Sequence, residues 1–433
     1  MVARHHQPVK TSAFLTIALF SSLTCQFVVH GQQAESEHWT EFRGPGSQGH
    51  APNADVPLRW GGSQNIAWRT PVAGKAWSSP VVVGSRVFVT TAVTDSDDGK
   101  SPLTLLALAF ELETGKPIWD TEIFSADEAG KQHKKNSHAS PTPVYEDGKI
   151  YAHFGHHGTA CLNAKSGAIV WKQQSLTYPP VHGTGGSPII VDENLIFSCD
   201  GGKAPFVVAL DKSNGNVAWK VDRGVETKRP FSFSTPLAIE VDGKTQVISP
   251  GSGAVVAYDP DNGNEIWRCD YGEGYSVVPR PLFAHGLVIV CSGFNKANML
   301  AIDPTGKGNV TDTHVKWEVT KQIPKESSPI VVGGLLFVND DKGILSCIDV
   351  KTGAINYQER LDGKGGYSSS PVFASGHLFF HNGEGTTTVV KPAKTFEKVA
   401  ENSIGEFGLS SFGVAKDGFL IRTEESLIRV AKK

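Results

Sequence analysis

The chain has 433 residues and nearly balanced charge, with 41 Lys and Arg against 44 Asp and Glu and a formal net charge of −3. Such a balance argues against nucleic acid or an anionic membrane surface as a partner, because both need a basic protein field. The six cysteines are dispersed and mostly lie inside apolar runs. They are typical of buried side chains, and although one disulfide can form, a disulfide scaffold is excluded.

The first 31 residues have the pattern of a signal peptide. Arg4 and Lys10 are basic, residues 13–23 form an apolar stretch too short to cross a bilayer, and small residues precede Gln32. Thr24 precedes Cys25 where a lipid-attachment motif would have Gly or Ala. We therefore expect cleavage near Gly31 and an exported protein, periplasmic or secreted, without a transmembrane segment or a good lipid-attachment site.

Residues 32–64 do not show a strand period. The stretch from Trp39 to Trp60 is rich in Gly and Pro. It predicts an extended N-terminal arm that lies over the domain formed by residues 65–433.

Residues 187–219 are the cleanest copy of a repeated unit. Four apolar runs are each closed by a turn signal, which predicts four short antiparallel strands. Ser-Pro or a variant opens each copy, at Ser79, Ser140, Ser187, Thr235, Arg280, Ser328, Ser370 and, with Phe in place of Pro, Ser411. An aromatic residue ends them, at Trp68, Trp119, Trp171, Trp219, Trp267, Trp317 and Tyr357. A repeat of roughly 40 to 50 residues with four strands predicts an all-β protein built as an eight-bladed propeller.

The two ends of the repeat region complete each other. Residues 65–70 look like the last strand of a blade, and the C-terminal runs supply three strands without a fourth. Pairing them closes the ring and removes exposed sheet edges.

The loops before the first strands and between the second and third strands should meet on one face, called the upper face here. Function is expected there because propeller loops converge on a shared funnel. The candidate ligand-binding residues on this rim are Lys75, Trp77, His138, His157, His182, Arg229, Arg280, Lys325, Asp340 and Tyr367. Their basic side chains either hold an anionic ligand or are solvated rim charges. The histidines of residues 133–182 match no zinc spacing, so no metal site is expected.

The blade endings VVALDKSNGNVAW, VAYDPDNGNEIW and LAFELETGKPIW resemble the tryptophan-docking motif of the pyrroloquinoline quinone (PQQ) repeat family. The resemblance covers nearly all of residues 65–433. It implies that Trp68, Trp119, Trp171, Trp219, Trp267, Trp317 and Tyr357 pack between neighbouring blades, and that the Gly of each motif takes a turn position with positive φ.

The resemblance leaves two classes of function open. The quinoprotein alcohol dehydrogenases of this family place PQQ on two adjacent cysteines beside calcium, and this chain has no Cys-Cys pair. An oxidoreductase using PQQ and calcium, with Trp77 against the quinone and Asp200 or Asp340 as base, is therefore the alternative, and we assign no catalytic residue.

The outer-membrane assembly lipoprotein BamB represents the second class, a binding scaffold of the same repeat. By that resemblance the chain is expected to be a monomer without a cofactor that binds a protein, peptide or glycan of the cell envelope. Trp77, Phe231, Phe233 and Tyr367 are its candidate aromatic anchors.

Overall fold

The computed structural model describes residues 1–3, 5 and 38–432. Residues 37–433 form one compact unit, and residues 1–36 are grouped separately. The predicted signal peptide and the lipid-attachment position fall almost wholly outside the described residues. Both helical segments of the described part, Pro45–Ser47 and Gly155–His157, are three-residue 3-10 turns. No helix in that part of the chain is long and apolar enough to cross a membrane.

Eight four-stranded antiparallel blades form the ring, as predicted. Blade 1 contains β3 (Val81–Val83), β4 (Arg86–Thr94), β5 (Leu103–Glu111) and β6 (Pro117–Ala126), and blade 2 contains β7 (Val144–Glu146), β8 (Lys149–His153), β9 (Thr159–Asn163) and β10 (Ile169–Gln173). Blade 3 contains β11 (Ile189–Val191), β12 (Asn194–Cys199), β13 (Phe206–Asp211) and β14 (Val217–Asp222), and blade 4 contains β15 (Leu237–Val241), β16 (Lys244–Pro250), β17 (Ala254–Tyr258) and β18 (Glu265–Asp270).

The second half of the ring repeats this order. Blade 5 contains β19 (Leu282–Ala284), β20 (Leu287–Cys291), β21 (Met299–Ile302) and β23 (Val315–Val319), and blade 6 contains β24 (Ile330–Val332), β25 (Leu335–Asn339), β26 (Ile344–Asp349) and β27 (Ile355–Arg360). Blade 7 contains β28 (Val372–Ala374), β29 (His377–His381), β30 (Thr386–Val390) and β31 (Lys398–Ser403). Blade 8 combines β32 (Gly413–Ala415), β33 (Gly418–Arg422) and β34 (Ser426–Ala431) with β2 (Ile66–Pro71).

Blade 8 confirms the predicted closure of the ring. Strand β2 pairs antiparallel with β34, with Arg69 opposite Ile428 and Thr70 opposite Leu427. The N-terminal strand therefore completes the last blade, so that the two ends of the repeat region share one sheet and leave no open blade.

Short turns join the first two strands of the blades. Asp147 and Gly148 both have positive φ, 46° and 77°, as do Asp242 and Gly243, 50° and 72°. Two-residue turns of this kind match the twist of antiparallel strands and favour Asp-Gly. The Asp-Gly pairs in the sequence therefore mark these hairpins correctly.

The blade-ending tryptophans pack on the next blade. The indole N–H of Trp171 donates to the carbonyl of Lys212 at 3.0 Å, and a Cβ on Gly215 would lie 2.5 Å from that indole ring. Trp219 repeats this arrangement with Pro260 and Gly263. Glycine is needed there for its positive φ and for the close approach of the ring.

The interface between blades 4 and 5 departs from this pattern. Trp267 donates to the side-chain oxygen of Gln246 at 2.8 Å, and Gln246 donates on to the carbonyl of Pro304 at 3.3 Å. The short strand β22 (Gly308–Asn309) of blade 5 pairs with the outer strand β18 of blade 4. Trp267 is fully buried as a result.

The first described part of the N-terminal arm runs inside the ring. Residues 39–50, which we call the channel plug, bond to first strands of the blades: Trp39 pairs with Val82, and the carbonyls of Thr40 and Gly49 accept from Tyr145 and Phe373. Strand β1 (His50–Ala51) pairs parallel with β28. The sequence analysis placed this arm over the propeller. The structure places residues 39–50 within the central channel, whereas the backbone N–H groups of Val56 and Trp60 donate to Ser375 and Asn402 of blade 7.

Candidate functional site

A cavity of about 480 Å³ opens on the upper face, and we call it the funnel cavity. Its lining residues come mainly from the loops that precede the first strands, with Phe294 from a loop between the second and third strands of blade 5. This is the face on which the sequence analysis expected the loops to converge. Phe42 of the channel plug also lines the cavity, so the plug contributes to its floor.

Hydroxyl groups of the blade starts surround the floor, and we call them the hydroxyl ring. At most of these positions the backbone N–H donates to the hydroxyl of the next blade, as from Ser187 to Thr235 at 3.0 Å and from Ser370 to Ser411 at 2.8 Å. The ring comprises Ser79, Thr142, Ser187, Thr235, Ser328, Ser370 and Ser411. In blade 2 the ring position is Thr142, two residues beyond the Ser140 start chosen from the sequence.

Arg280 holds the blade 5 position of this ring and anchors the plug. Its side chain is fully buried, and its guanidinium donates to the carbonyls of Pro236 at 3.0 Å and Phe42 at 2.6 Å and lies 3.3 Å from the Glu41 carboxylate. Burial lowers the pKa of Arg280, whereas Glu41 raises it. The residue predicted for the rim thus lies in the channel and binds the protein's own arm.

Aromatic rings form the walls of the cavity. Phe231 contacts Tyr275 with ring centroids 5.5 Å apart and Phe233 at 6.1 Å, and Tyr275 contacts Phe294 at 6.4 Å. Trp77 lies in another part of the wall. These rings give the cavity a large apolar area that can hold a side chain of a partner or the body of a small molecule.

Three of these rings also carry a cation. Lys75 lies 5.8 Å from the Trp77 ring, Arg229 lies 4.6 Å from Tyr275, and Lys325 lies 5.3 Å from Phe294. Cations over ring faces are attracted by the ring quadrupole. Lys75 is also near Asp97 and Glu424, at 3.7 and 4.0 Å, and Lys325 is 3.9 Å from Asp341.

Residues 127–138, the strap, reach across the mouth of the cavity. The strap is tied to blade 3 by Asn136, whose amide donates to the carbonyls of His182 and Thr184 at 2.8 and 2.9 Å. Lys135 forms a 2.8 Å ion pair with Glu326 in the loop before blade 6. Because the loops between blades 1 and 2 and between blades 5 and 6 are opposite in an eight-bladed ring, this ion pair spans the funnel.

Of the predicted rim residues, only Trp77 and His182 line the cavity, and Lys75, Arg229 and Lys325 lie against its aromatic rings. Tyr367 is buried and donates to the carbonyl of Asp362 at 2.6 Å. The Asp340 carboxylate accepts from the backbone N–H groups of Lys342 and Ile344 and shapes a turn.

The two other predicted rim histidines pack away from the cavity in a separate cluster. The ring centroids of His138 and His157 are 5.6 Å apart, and those of His156 and His157 are 3.9 Å apart. Burial lowers the pKa of His157 to about 3 and that of His156 to about 4, so both rings are neutral at pH 7. Within residues 38–432, no group of His, Cys, Asp and Glu is arranged to hold a metal ion.

The residues considered for quinone chemistry have other roles. Asp200 and Arg223 form a fully buried ion pair, with side-chain N–O distances of 2.5 and 2.7 Å. The five cysteines that the structure describes are all free and buried. Glu326 is the only carboxylate among the lining residues, and it already binds Lys135. These side chains do not fit PQQ and calcium, because they offer neither a cysteine platform nor a group of oxygen ligands.

Sequence reasoning left Lys135, Tyr275 and Phe294 out of the candidate site. Tyr275 lies just before the first strand of blade 5, and Phe294 lies between its second and third strands. These positions within the repeat are the sequence signal that could have placed both rings on the upper face. The pairing of Lys135 with Glu326 had no such signal, because the two residues are 191 positions apart.

The family described as outer membrane protein assembly factor BamB matches residues 104–359, more than half of the chain. An uncharacterised protein of Rickettsia conorii is 21% identical over 291 residues, which are 66% of this chain and 63% of that protein. The chain therefore spans less than two thirds of the length of this relative.

Three solved structures share the fold at low identity. BamB from Moraxella catarrhalis has a TM-score of 0.56 at 12% identity, covering 88% of this chain and 97% of that one. Quinohemoprotein alcohol dehydrogenase ADHIIG from Pseudomonas putida HK5 has a TM-score of 0.61 at 11% identity, covering 92% and 81%. The computationally designed Ika8 protein has a TM-score of 0.54 at 10% identity, covering 86% and 98%. These similarities establish the propeller architecture.

Proposed function

The chain belongs to the family of the outer membrane protein assembly factor BamB, and on this premise we propose that it is an exported, non-catalytic binding protein of the cell envelope. It binds a segment of a protein partner in the funnel cavity. The observation that carries the proposal is the aromatic wall of a cavity of about 480 Å³ on the upper face.

The composition of this cavity suits a protein ligand. The apolar rings of Phe231, Tyr275 and Phe294 supply contact area. Hydroxyls and a few charged groups at the edge can form hydrogen bonds that orient a bound ligand. Aromatic anchors surrounded by polar groups are typical of the residues that dominate binding energy at protein interfaces.

The alternative function, oxidation of an alcohol or sugar with PQQ and calcium, has less support. Asp200 is neutralised by Arg223 in the interior, and the turn hydrogen bonds of Asp340 occupy its carboxylate. A thermal melt with PQQ and calcium tests this alternative, because a ligand at 100 times its Kd adds about 2.7 kcal/mol to the free energy of unfolding. We expect no rise in Tm, and a clear rise would favour the oxidoreductase.

Photo-crosslinking in cells tests the binding role. We would replace Tyr275 or Phe294 with benzoylphenylalanine and compare each with a replacement of Phe396, a half-buried ring of blade 7 that packs on Tyr357 of blade 6. The proposal predicts a crosslinked protein partner from the two cavity positions and a much weaker product from Phe396. Equal products from all three positions, or none from the cavity, would reject it.

A further inference from the structure

Two hydrogen-bond donors in the funnel cavity have no partner within the described residues. The indole N–H of Trp77 and the hydroxyl of Ser79 belong to side chains that are 8% and 1% exposed, and both residues line the cavity. Buried donors without acceptors are unusual in folded proteins. Both donor atoms are closed to solvent, like the unpaired indole N–H groups of Trp39 and Trp60, so a ligand must bind through the groups of the cavity that solvent reaches.

The ion pair between Lys135 and Glu326 lies at the mouth of the same cavity and places the Glu326 carboxylate in its wall. The Glu326 side chain is 14% exposed, and its carboxylate accepts from the Ser368 hydroxyl and from Lys135. The Lys135 side chain is 46% exposed, so solvent reaches it. Solvent screening weakens an ion pair that is exposed on one side. A ligand carboxylate can therefore compete with Glu326 for the Lys135 ammonium.

The charges around the walls favour an anion. Besides Lys135, the cavity edge carries Arg229 and Lys325 over aromatic rings. The Asp341 carboxylate lies 3.9 Å from Lys325 and pairs with it. The apolar rings between these charges suit a hydrophobic body.

Building on the proposed function, we infer that the funnel cavity binds a carboxylate carried on an aromatic or other apolar body, and that this carboxylate replaces Glu326 at Lys135. The apolar body packs among Phe231, Tyr275 and Phe294. In the unliganded protein the Glu326 carboxylate takes the place of the ligand carboxylate at Lys135. When the ligand binds, Lys135 leaves Glu326, and the strap loses its contact with the loop before blade 6.

Two sources provide this chemistry: an acidic side chain beside an aromatic one in a protein segment, or a small aromatic acid. Matched probes distinguish them. The peptides N-acetyl-Phe-Glu-amide and N-acetyl-Phe-Gln-amide differ in one charge at constant shape. Phenylacetate and phenylacetamide form the corresponding small-molecule pair.

The experiment titrates each probe into the purified protein by ligand-detected NMR. We expect the acidic member of at least one pair to bind the wild type about fivefold more tightly, the range of a partly exposed ion pair. Glu326→Gln frees Lys135 and should strengthen binding of the acidic probe several-fold. Lys135→Met should remove the preference, whereas Lys134→Met, at the adjacent exposed lysine, should leave it unchanged. Unchanged Tm values show that the variants are folded.

The outcomes separate this inference from the proposed function. Equal affinity for charged and neutral probes, or weaker binding of the acidic probe by Glu326→Gln, overturns the inference even if crosslinking from Phe294 still captures a protein. A charge preference with phenylacetate alone supports the cavity chemistry but counts against a protein ligand. A preference with the peptides supports both.

Discussion

Two regions of the molecule differ in the kind of contact that holds them: the interfaces between neighbouring blades, and the funnel cavity. At the interfaces, the same contact recurs: an indole N–H donates to a carbonyl and its ring covers a glycine, as with Trp171 on Gly215. In the cavity, each loop contributes a different side chain, and the contacts join residues that are far apart in sequence, such as Lys135 and Glu326. The repeated contacts build the ring, and the non-repeated contacts give this member of the family its binding surface.

The largest expected effect comes from breaking a repeated contact. Trp219→Ala deletes a buried ring between blades 3 and 4 and the hydrogen bond to Pro260. We expect the free energy of unfolding to fall by about 3 to 5 kcal/mol, measured by chemical denaturation. A loss below about 1 kcal/mol would contradict the docking role of the tryptophans.

The channel plug tests whether a non-repeated contact also supports the ring. Arg280→Met removes the buried donors to Pro236 and Phe42 and leaves Glu41 without its partner. We expect a loss of about 2 to 3 kcal/mol, since hydrogen bonds from a charged group are stronger than neutral ones. Protease cleavage within residues 39–50 should increase at the same time. Wild-type protease resistance would show that the plug is held by its other contacts alone.

Buried neutral histidines predict a pH dependence of stability. Burial lowers the pKa of His381 to about 3, and its ring accepts or donates one hydrogen bond, with Thr387 at 2.8 Å. Between about pH 6.5 and pH 3 the unfolded chain binds a proton that the folded chain does not, so stability falls as the pH falls.

His381→Phe tests this assignment. The variant should lose less stability on acidification than the wild type, by about 1.4 kcal/mol for each pH unit below 6.5. Denaturation curves at pH 7 and pH 5 measure the difference, and the exposed His285→Phe variant is the control. Identical slopes for the His381 variant and the wild type would show that His381 is protonated in the folded protein.

The smallest effect is expected in the hydroxyl ring. Ser370→Ala removes the acceptor for the buried backbone N–H of Ser328, which donates at 3.0 Å. A loss of about 1 kcal/mol is expected, because one hydrogen bond is broken and a small side chain remains. A stability equal to that of the wild type would mean that water replaces the hydroxyl.

The sequence predicted the ring well because its signals are local. Turn residues, strand periodicity and the tryptophan spacing each act within one blade or between neighbouring blades, so that a repeat of about 40 to 50 residues specifies eight sheets. The closure of blade 8 followed from the same reasoning, because the single strand at the N-terminal end and the three strands at the C-terminal end each lacked the rest of a blade.

The channel and the cavity were harder to predict because their contacts are long-range. Arg280 fits the pattern of a rim residue but reaches an arm 239 positions away in the sequence. Tyr367 and Asp340 were placed on the rim because they lie in upper loops, yet one is buried and the other shapes a turn. Whether a loop residue faces ligand, channel or core depends on packing that local pattern does not contain.

The most direct test of the binding role is a structure of the protein with a partner crosslinked through Phe294. We predict a partner segment between Phe42 and the strap, with its apolar side chain against Phe231 and Tyr275. A segment bound elsewhere, with an empty funnel and with Lys135 still paired to Glu326, would contradict the account.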